Sequence, residues 1–271
     1  FDKTGTLTHA TPTVAEIVPF GGRSEEEVLR VAACLEEHYP HSIANAVVQC
    51  AKARGIGHEE MHSEVEYVVA HGIASRIHDT KVVIGSRHFV FEDEHCIIPT
   101  GEQARFDALP PQYSQLYLAI GGELAGALCI HDPLRVEAEA VMNSLRRLGI
   151  RHTVMMTGDN ARTAAAIAKE VGVNEWYAEV LPEDKAAYVE KAKAEGRKVV
   201  MIGDGINDSP ALSAADVGIA ISDGAAIARE VADITISADD LFDLVVLKMI
   251  ANGLQKRTKA NYRFVIGFNS G

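Results

Sequence analysis

The chain has 271 residues, 47% of them hydrophobic, and a formal net charge of -12 at pH 7. A body of that size buries one large core or two moderate ones, and its acidity, with no basic patch interleaved with aromatics, argues against nucleic acid as a partner. Four scattered cysteines (Cys34, Cys50, Cys96, Cys129) without a C-x-x-C are expected as free thiols, and no apolar run reaches the roughly 18 residues that a membrane span needs.

The first element in the chain is a motif, Asp2-Lys3-Thr4-Gly5-Thr6-Leu7-Thr8. It sets a carboxylate beside a cation, then a Thr/Gly run whose backbone N–H groups can wrap an oxyanion. A carboxylate is ionised at neutral pH and attacks phosphorus without a general base, forming an acyl phosphate. An acid two residues further on would protonate a leaving group and later activate water. Thr4 does neither well, so the acyl phosphate is expected to persist. There is no initiator Met, and the strand that should deliver Asp2 is missing, so the sequence reads as a piece of a longer protein.

Between about residues 20 and 127, Ser24-Glu25-Glu26-Glu27 is a capping box, and Ser42 is expected to cap a second helix. Short β-rich runs at 66–70, 73–78, 81–85, 116–120 and 124–130 predict an antiparallel sheet. His58-Glu59-Glu60-Met61-His62 fits the H-E-x-x-H zinc pattern. Gly55 and Gly57 stand where the helix of such a site should already run, so a polar turn is the better account. His95-Cys96 reads as a surface loop pair.

From about residue 128 onward, apolar strands alternate with helices. The pattern predicts that Asp132-Pro133 precedes an amphipathic helix running through Arg147, ended with help from Gly149. Strand 152–156, a helix from Asn160, strand 176–180 and a helix from Pro182 follow. Strand 198–202, a short helix, strand 216–220, the run Asp233–Ile236 and a long helix over 239–262 complete the series. This is the signature of a doubly wound parallel sheet, an α/β fold. Thr157-Gly158-Asp159, Pro182-Glu183-Asp184-Lys185 and Gly203-Asp204-Gly205-Ile206-Asn207-Asp208 each follow a strand, where such a sheet gathers its ligands.

In this order the four motifs resemble those of the P-type ATPases, ion pumps whose phosphorylation domain belongs to the haloacid dehalogenase superfamily. The resemblance implies a haloacid dehalogenase-like phosphorylation domain (1–19 and 128–250) with an inserted α+β nucleotide-binding domain (20–127). A juxtamembrane segment (251–271) would lead into a membrane helix. It also implies ATP and Mg²⁺. Transferring a phosphoryl group requires fixed cations, and magnesium requires hard oxygen ligands. Asp2 would be phosphorylated within the Asp2-Lys3-Thr4 loop. Asp2, Asp204 and the Thr4 carbonyl would hold Mg²⁺, and Lys185 would meet the phosphoryl oxygens as a point charge. Thr157, with Gly158, and Asn207 would add hydrogen bonds. Asp208 would support the magnesium loop, and Asp159 would order the region joining the two domains.

The stretch from Glu36 to His41-Ser42 resembles the heavy-metal branch of these pumps, with Ser42 in place of its proline. Ala70-His71-Gly72 partly matches a Gly-x-Gly of that branch, and Gly85 matches a later glycine. Glu36, His41, Gly72 and Gly85 are therefore expected around adenine, the glycines letting the base approach the backbone. The function implied is the ATP-binding catalytic portion of a transition-metal pump at the cytoplasmic face of a membrane. The metal would be carried by membrane helices, and an actuator domain bearing Thr-Gly-Glu would deliver water, both outside this chain. On its own the chain is expected to hydrolyse ATP slowly at best. Lys256, Arg257, Lys259 and Arg263, just before the apolar run Phe264–Phe268, fit a cytoplasmic membrane face. Asn261 followed by Phe268-Asn269 leans toward copper, or a less familiar ion such as manganese, since zinc and cadmium members carry Lys at the last position. The alternative is a soluble haloacid dehalogenase-type phosphatase, which would favour Asp at position 4.

Overall fold

The computed structural model describes residues 1–37, 41–57, 66–68, 72–204, 208–221, 230–237 and 239–269, with the backbone alone at 66–68 and 269. The H-E-x-x-H stretch, Ala70-His71 and Asn207 lie outside the described residues.

One half is a parallel sheet. Strands β7 (Val154–Met156) and β8 (Glu175–Tyr177) pair in parallel, as do β9 (Val200–Gly203), β10 (Val217–Ile221) and β11 (Ile234–Ile236). Residues 1 and 2 join the two sets. The Met156 N–H donates to Phe1 O at 2.8 Å, and the Asp2 N–H donates to Ile202 O at 2.9 Å. Asp2 thus sits between the carboxyl ends of β7 and β9. Neighbouring strand residues face opposite ways. Met155, Ile202 and Ile219 pack under α4 (Ala138–Arg147) and α5 (Ala161–Val171). Met156, Met201 and Ala220 pack under α6 (Pro182–Ala194) and α7 (Ser209–Ala214). The doubly wound expectation holds.

The other half is a six-stranded antiparallel sheet in the order β1-β6-β5-β4-β3-β2. Its strands are β1 (Thr13–Pro19), β2 (Glu66–Val68), β3 (Gly72–Ile77), β4 (Thr80–Gly85), β5 (Ser114–Ile120) and β6 (Glu123–His131). Here too the residues alternate. Leu116 and Leu118 face α1 (Glu25–Glu36) and α2 (Ser42–Ala53), while Tyr117 and Ala119 join Phe20 and Phe89 on the other face. The short α3 (Gln103–Asp107) places Phe106 beside Tyr117.

Several expectations are corrected. Residues 13–19, assigned to the phosphorylation domain, instead pair along β6 from Thr13↔His131 to Pro19↔Gly126 and so extend the insertion's sheet. Helix α4 begins only at Ala138, not directly after Asp132-Pro133, because the intervening segment is committed elsewhere: the Arg135 N–H donates to Leu7 O and the His9 N–H to Pro133 O. Ser24 caps α1 as expected, its Oγ accepting the Glu27 N–H at 3.1 Å. The cap of α2 is His41 rather than Ser42, with His41 Nδ1 accepting the Ala44 N–H at 3.2 Å. His95 is exposed, but Cys96 is buried in the aromatic core, so the two do not form a surface pair. All four cysteines are free. The last helix, α8, runs from Asp243 to Asn269, further than expected. Among the described residues no helix is long and apolar enough to cross a membrane.

Candidate functional site

The loop Lys3–Leu7 leaves the sheet directly after Asp2 and turns back at Gly5, whose φ of +75° a side chain would strain. Thr8 Oγ1 accepts the Gly5 N–H at 3.0 Å and donates to Asp132 Oδ2 at 2.6 Å, and the buried Arg135 donates from Nε to Thr6 O at 2.9 Å. The segment entering the second half thereby clamps the loop that follows Asp2.

Asp2 is 6% exposed. Its Oδ1 lies 2.7 Å from Lys185 Nζ, which also donates to Asp208 Oδ1 at 2.6 Å. One ammonium therefore serves two buried carboxylates, and among the described residues Asp208 Oδ2 has no hydrogen-bond partner. Burial, then repulsion from Asp208, push Asp2 above its ordinary pKa, against the pull of Lys185. Burial would lower Lys185, but the two carboxylates outweigh it and hold the ammonium above its usual range. Asp204 lines the same cavity as Asp2 and Thr4, and its Cβ lies 3.3 Å from where a Cβ on Gly5 would stand. The set of hard oxygens with too little positive charge suits a divalent cation such as Mg²⁺.

A second buried ion pair stands beside the first. Lys3 Nζ donates to Asp159 Oδ2 at 2.7 Å and to Ser114 Oγ, on β5 of the insertion, at 2.9 Å. Asp159 Oδ2 also accepts from Thr157 Oγ1 at 2.9 Å. Burial would raise Asp159, but the Lys3 ammonium outweighs it and holds the carboxyl below its ordinary value.

Asp2, Lys3, Ser114, Asp159, Lys185 and Asp204 line one cavity of about 400 Å³, which continues along the insertion to Glu36, His41, Gly72 and Gly85. That volume suits a ligand of nucleotide size. Glu36 is 3% exposed at the end of α1, and its Oε2 lies 3.3 Å from His41 Nε2 without forming an aligned hydrogen bond. Because His41 Nδ1 accepts the α2 N–H, the neutral ring carries its proton on Nε2, facing Glu36. Of the expected residues outside Asn207, the structure brings Asp2, Lys3, Thr4, Thr157, Gly158, Asp159, Lys185, Asp204, Glu36, His41, Gly72 and Gly85 to the cavity wall, with Asp208 directly behind Lys185.

Gly72 has a packing role as well. A Cβ there would lie 2.3 Å from Phe89 Cδ1 and 2.5 Å from Ile84 O. Gly72→Ala is therefore expected to lower stability by about 1–3 kcal/mol through overpacking, read as a lower urea midpoint at unchanged m-value.

Sequence reasoning missed Ser114, Arg87 and Glu179, which also line the cavity. Ser114 opens β5, and Arg87 and Glu179 each stand two residues beyond a strand end, but no motif distinguishes them. A Thr-Gly-Glu tripeptide, expected only outside this chain, does occur at Thr100-Gly101-Glu102. It forms a turn whose Glu102 accepts the Gly21 N–H at 3.2 Å, and it does not line the cavity.

A family model described as haloacid dehalogenase-like hydrolase matches residues 1–216. The chain belongs to that family. Within it, the chain is 36% identical over its whole length to a probable copper-exporting P-type ATPase V of Mycobacterium tuberculosis, covering 35% of that protein. It is equally 36% identical, over 272 residues, to a manganese-exporting P-type ATPase of Mycobacterium leprae, covering 37% of it. The chain thus spans about a third of the length of the curated relatives it matches. Among solved structures it resembles the catalytic domain of the CPx-ATPase CopB-B, studied for its conformational changes upon nucleotide binding. The TM-score is 0.71 at 29% identity, over 92% of this chain and 86% of that one.

Proposed function

We propose that the chain is the ATP-binding, phosphorylated portion of a transition-metal-translocating P-type ATPase. The observation that carries this reading is one continuous cavity with Glu36 and His41 at one end and Asp2 held by Lys185 at the other. A nucleoside triphosphate fits such a cavity lengthwise. The buried Glu36 Oε2, which lacks an aligned donor, suits the exocyclic amine of adenine. At the far end the Asp2 carboxylate attacks the γ-phosphorus, the bond to the leaving ADP oxygen breaks, and the phosphoryl group stays on Asp2. Lys185 follows the phosphoryl oxygens, and Thr157 supplies a hydrogen bond. Asp2, Asp204 and the Thr4 carbonyl would hold Mg²⁺, which supplies charge neutralisation at the transferring group. With Thr4 offering no acid, the phosphoaspartate outlives the encounter, which favours a pump over a soluble phosphatase.

The metal carried belongs to the remainder of the protein. Relatives at equal identity are named for copper and for manganese. Helix α8 exposes Leu254, Phe264 and Phe268 beside Lys256, Arg257, Lys259 and Arg263, in keeping with a segment approaching a membrane.

The test is phosphoenzyme formation from γ-labelled ATP and Mg²⁺. We expect an acid-stable, hydroxylamine-labile label that Asp2→Asn abolishes. A label that survives in Asp2→Asn, or one resistant to hydroxylamine, would sink the aspartyl-phosphate reading.

A further inference from the structure

Three cations, Lys3, Lys185 and Arg87, line the cavity among its described residues, and they are not equally committed. Lys3 is fixed at 2.7 and 2.9 Å by Asp159 and Ser114, and Lys185 at 2.7 and 2.6 Å by Asp2 and Asp208. Arg87, two residues beyond the end of β4, has long pairings among the described residues: Nη1 lies 3.6 Å from Glu92 and 3.8 Å from Glu179. Both distances exceed a hydrogen bond. Glu92 is its neighbour in the insertion, whereas Glu179 stands across the cleft, just beyond β8 of the parallel-sheet half.

Glu179 is unusual in its backbone. It holds φ at +55°, a conformation that costs a non-glycine residue about 1–2 kcal/mol. Two hydrogen bonds impose it: the Glu179 N–H donates to Asp159 O at 2.8 Å, and the Val180 N–H to Thr157 O at 3.0 Å. A strained residue tied to the Thr157–Asp159 loop, with its carboxylate facing a cation from the opposite half, points to a functional contact. Stability does not account for it, since both side chains are more than a third exposed and such pairs contribute little.

Resting on the ATP reading above, we propose that Arg87 is the insertion's own phosphate-binding residue and that Glu179 is its placeholder. In the nucleotide-free protein Glu179 holds the guanidinium over the cleft. An entering polyphosphate, with more charge and oxygens matched to the guanidinium fork, displaces that carboxylate. The adenine end and the Asp2 end are then bridged by a cation anchored on the insertion. The selectivity implied is for nucleoside di- and triphosphates over nucleosides.

The test is calorimetric titration of the full chain with ATP, ADP and adenosine in magnesium-free buffer, comparing wild type with Arg87→Ala, Arg87→Lys and Glu179→Gln. Arg87→Ala is expected to weaken ATP and ADP about tenfold to a hundredfold, the worth of charge-assisted hydrogen bonds. Adenosine binding should stay unchanged, and Arg87→Lys should recover part of the loss. Glu179→Gln should tighten ATP several-fold, and only while Arg87 is present. Unchanged ATP affinity in Arg87→Ala, or equal losses for ATP and adenosine, would overturn the proposal while leaving the ATP reading intact. Failure of the wild type to bind ATP or adenosine at all would overturn the ATP reading itself.

Discussion

Lys185→Met is expected to abolish phosphoenzyme formation and to destabilise the chain by about 3–5 kcal/mol, the usual cost of stranding a buried charge. The reason is arithmetic. Lys185 Nζ is the donor to both Asp2 Oδ1 and Asp208 Oδ1, and Asp208 is fully buried, its second oxygen lacking a partner among the described residues. Removing the ammonium leaves two buried carboxylates without the cation they share. Methionine keeps the length and the apolar stem, so lost packing does not confuse the result. Urea unfolding in the presence of EDTA gives the stability change free of any metal effect.

A second variant separates the charge argument from a general intolerance of substitution. Asp2→Asn removes one of the two carboxylates, so Lys185→Met should cost less in that background than in the wild type. The coupling between the two changes is expected to fall within the 0.5–3 kcal/mol seen for residues in contact. Strictly additive effects would mean that Lys185 stabilises the fold through something other than Asp2. Phosphoenzyme should be absent from all three variants, for different reasons: Asp2→Asn lacks the attacking oxygen, and Lys185→Met lacks the charge that the transferred group needs.

The site was far more legible in the sequence than the domain boundary, and the cause is physical. Phosphoryl chemistry requires particular residue types at short spacings, so Asp2-Lys3-Thr4, Thr157-Gly158-Asp159 and Lys185 stand out one motif at a time. Strands with a period-2 pattern and capped helices are likewise local facts, which is why β3 to β11 and α1 were foreseeable. Pairing is not local. Strand β1 joins β6 across more than a hundred residues, and nothing in Thr13–Pro19 says which sheet will take it. The late start of α4 has the same origin, because Asp132–Arg135 hydrogen-bonds to Thr6–His9, a partner remote in sequence. His41 displaced Ser42 as a cap because an imidazole nitrogen can accept as a hydroxyl does, a possibility that the usual cap residues obscure. Arg87 and Glu179 become meaningful only once the two halves face each other.

The other large effect expected is that of Asp159→Asn. The change leaves the Lys3 ammonium, 4% exposed as a residue, without its paired carboxylate charge and facing neutral oxygens such as Ser114 Oγ. A loss of about 3 kcal/mol is expected for the broken pair, or roughly 5 °C in melting temperature for a chain of 271 residues. The pH dependence identifies the group responsible. Asp159 has a folded pKa held below its unfolded value, so its stabilisation is complete above the ordinary carboxylate range, near 3.9. It is lost as the pH falls through the lower folded value. The stability gap between wild type and Asp159→Asn should therefore be constant from pH 7 to about 5 and begin to close only below about 4. A gap that closed near pH 6 would assign the effect to another group. The functional consequence should be selective. Asp159 Oδ2 holds Thr157 and Lys3 together, and Lys3 in turn reaches β5 of the insertion. Phosphoenzyme formation should slow, while adenosine affinity stays unchanged, because Glu36, His41, Gly72 and Gly85 belong to the insertion alone. If adenosine binding fell in parallel, Asp159 would be supporting the fold of the whole cleft, not the approach of the γ-phosphate to Asp2.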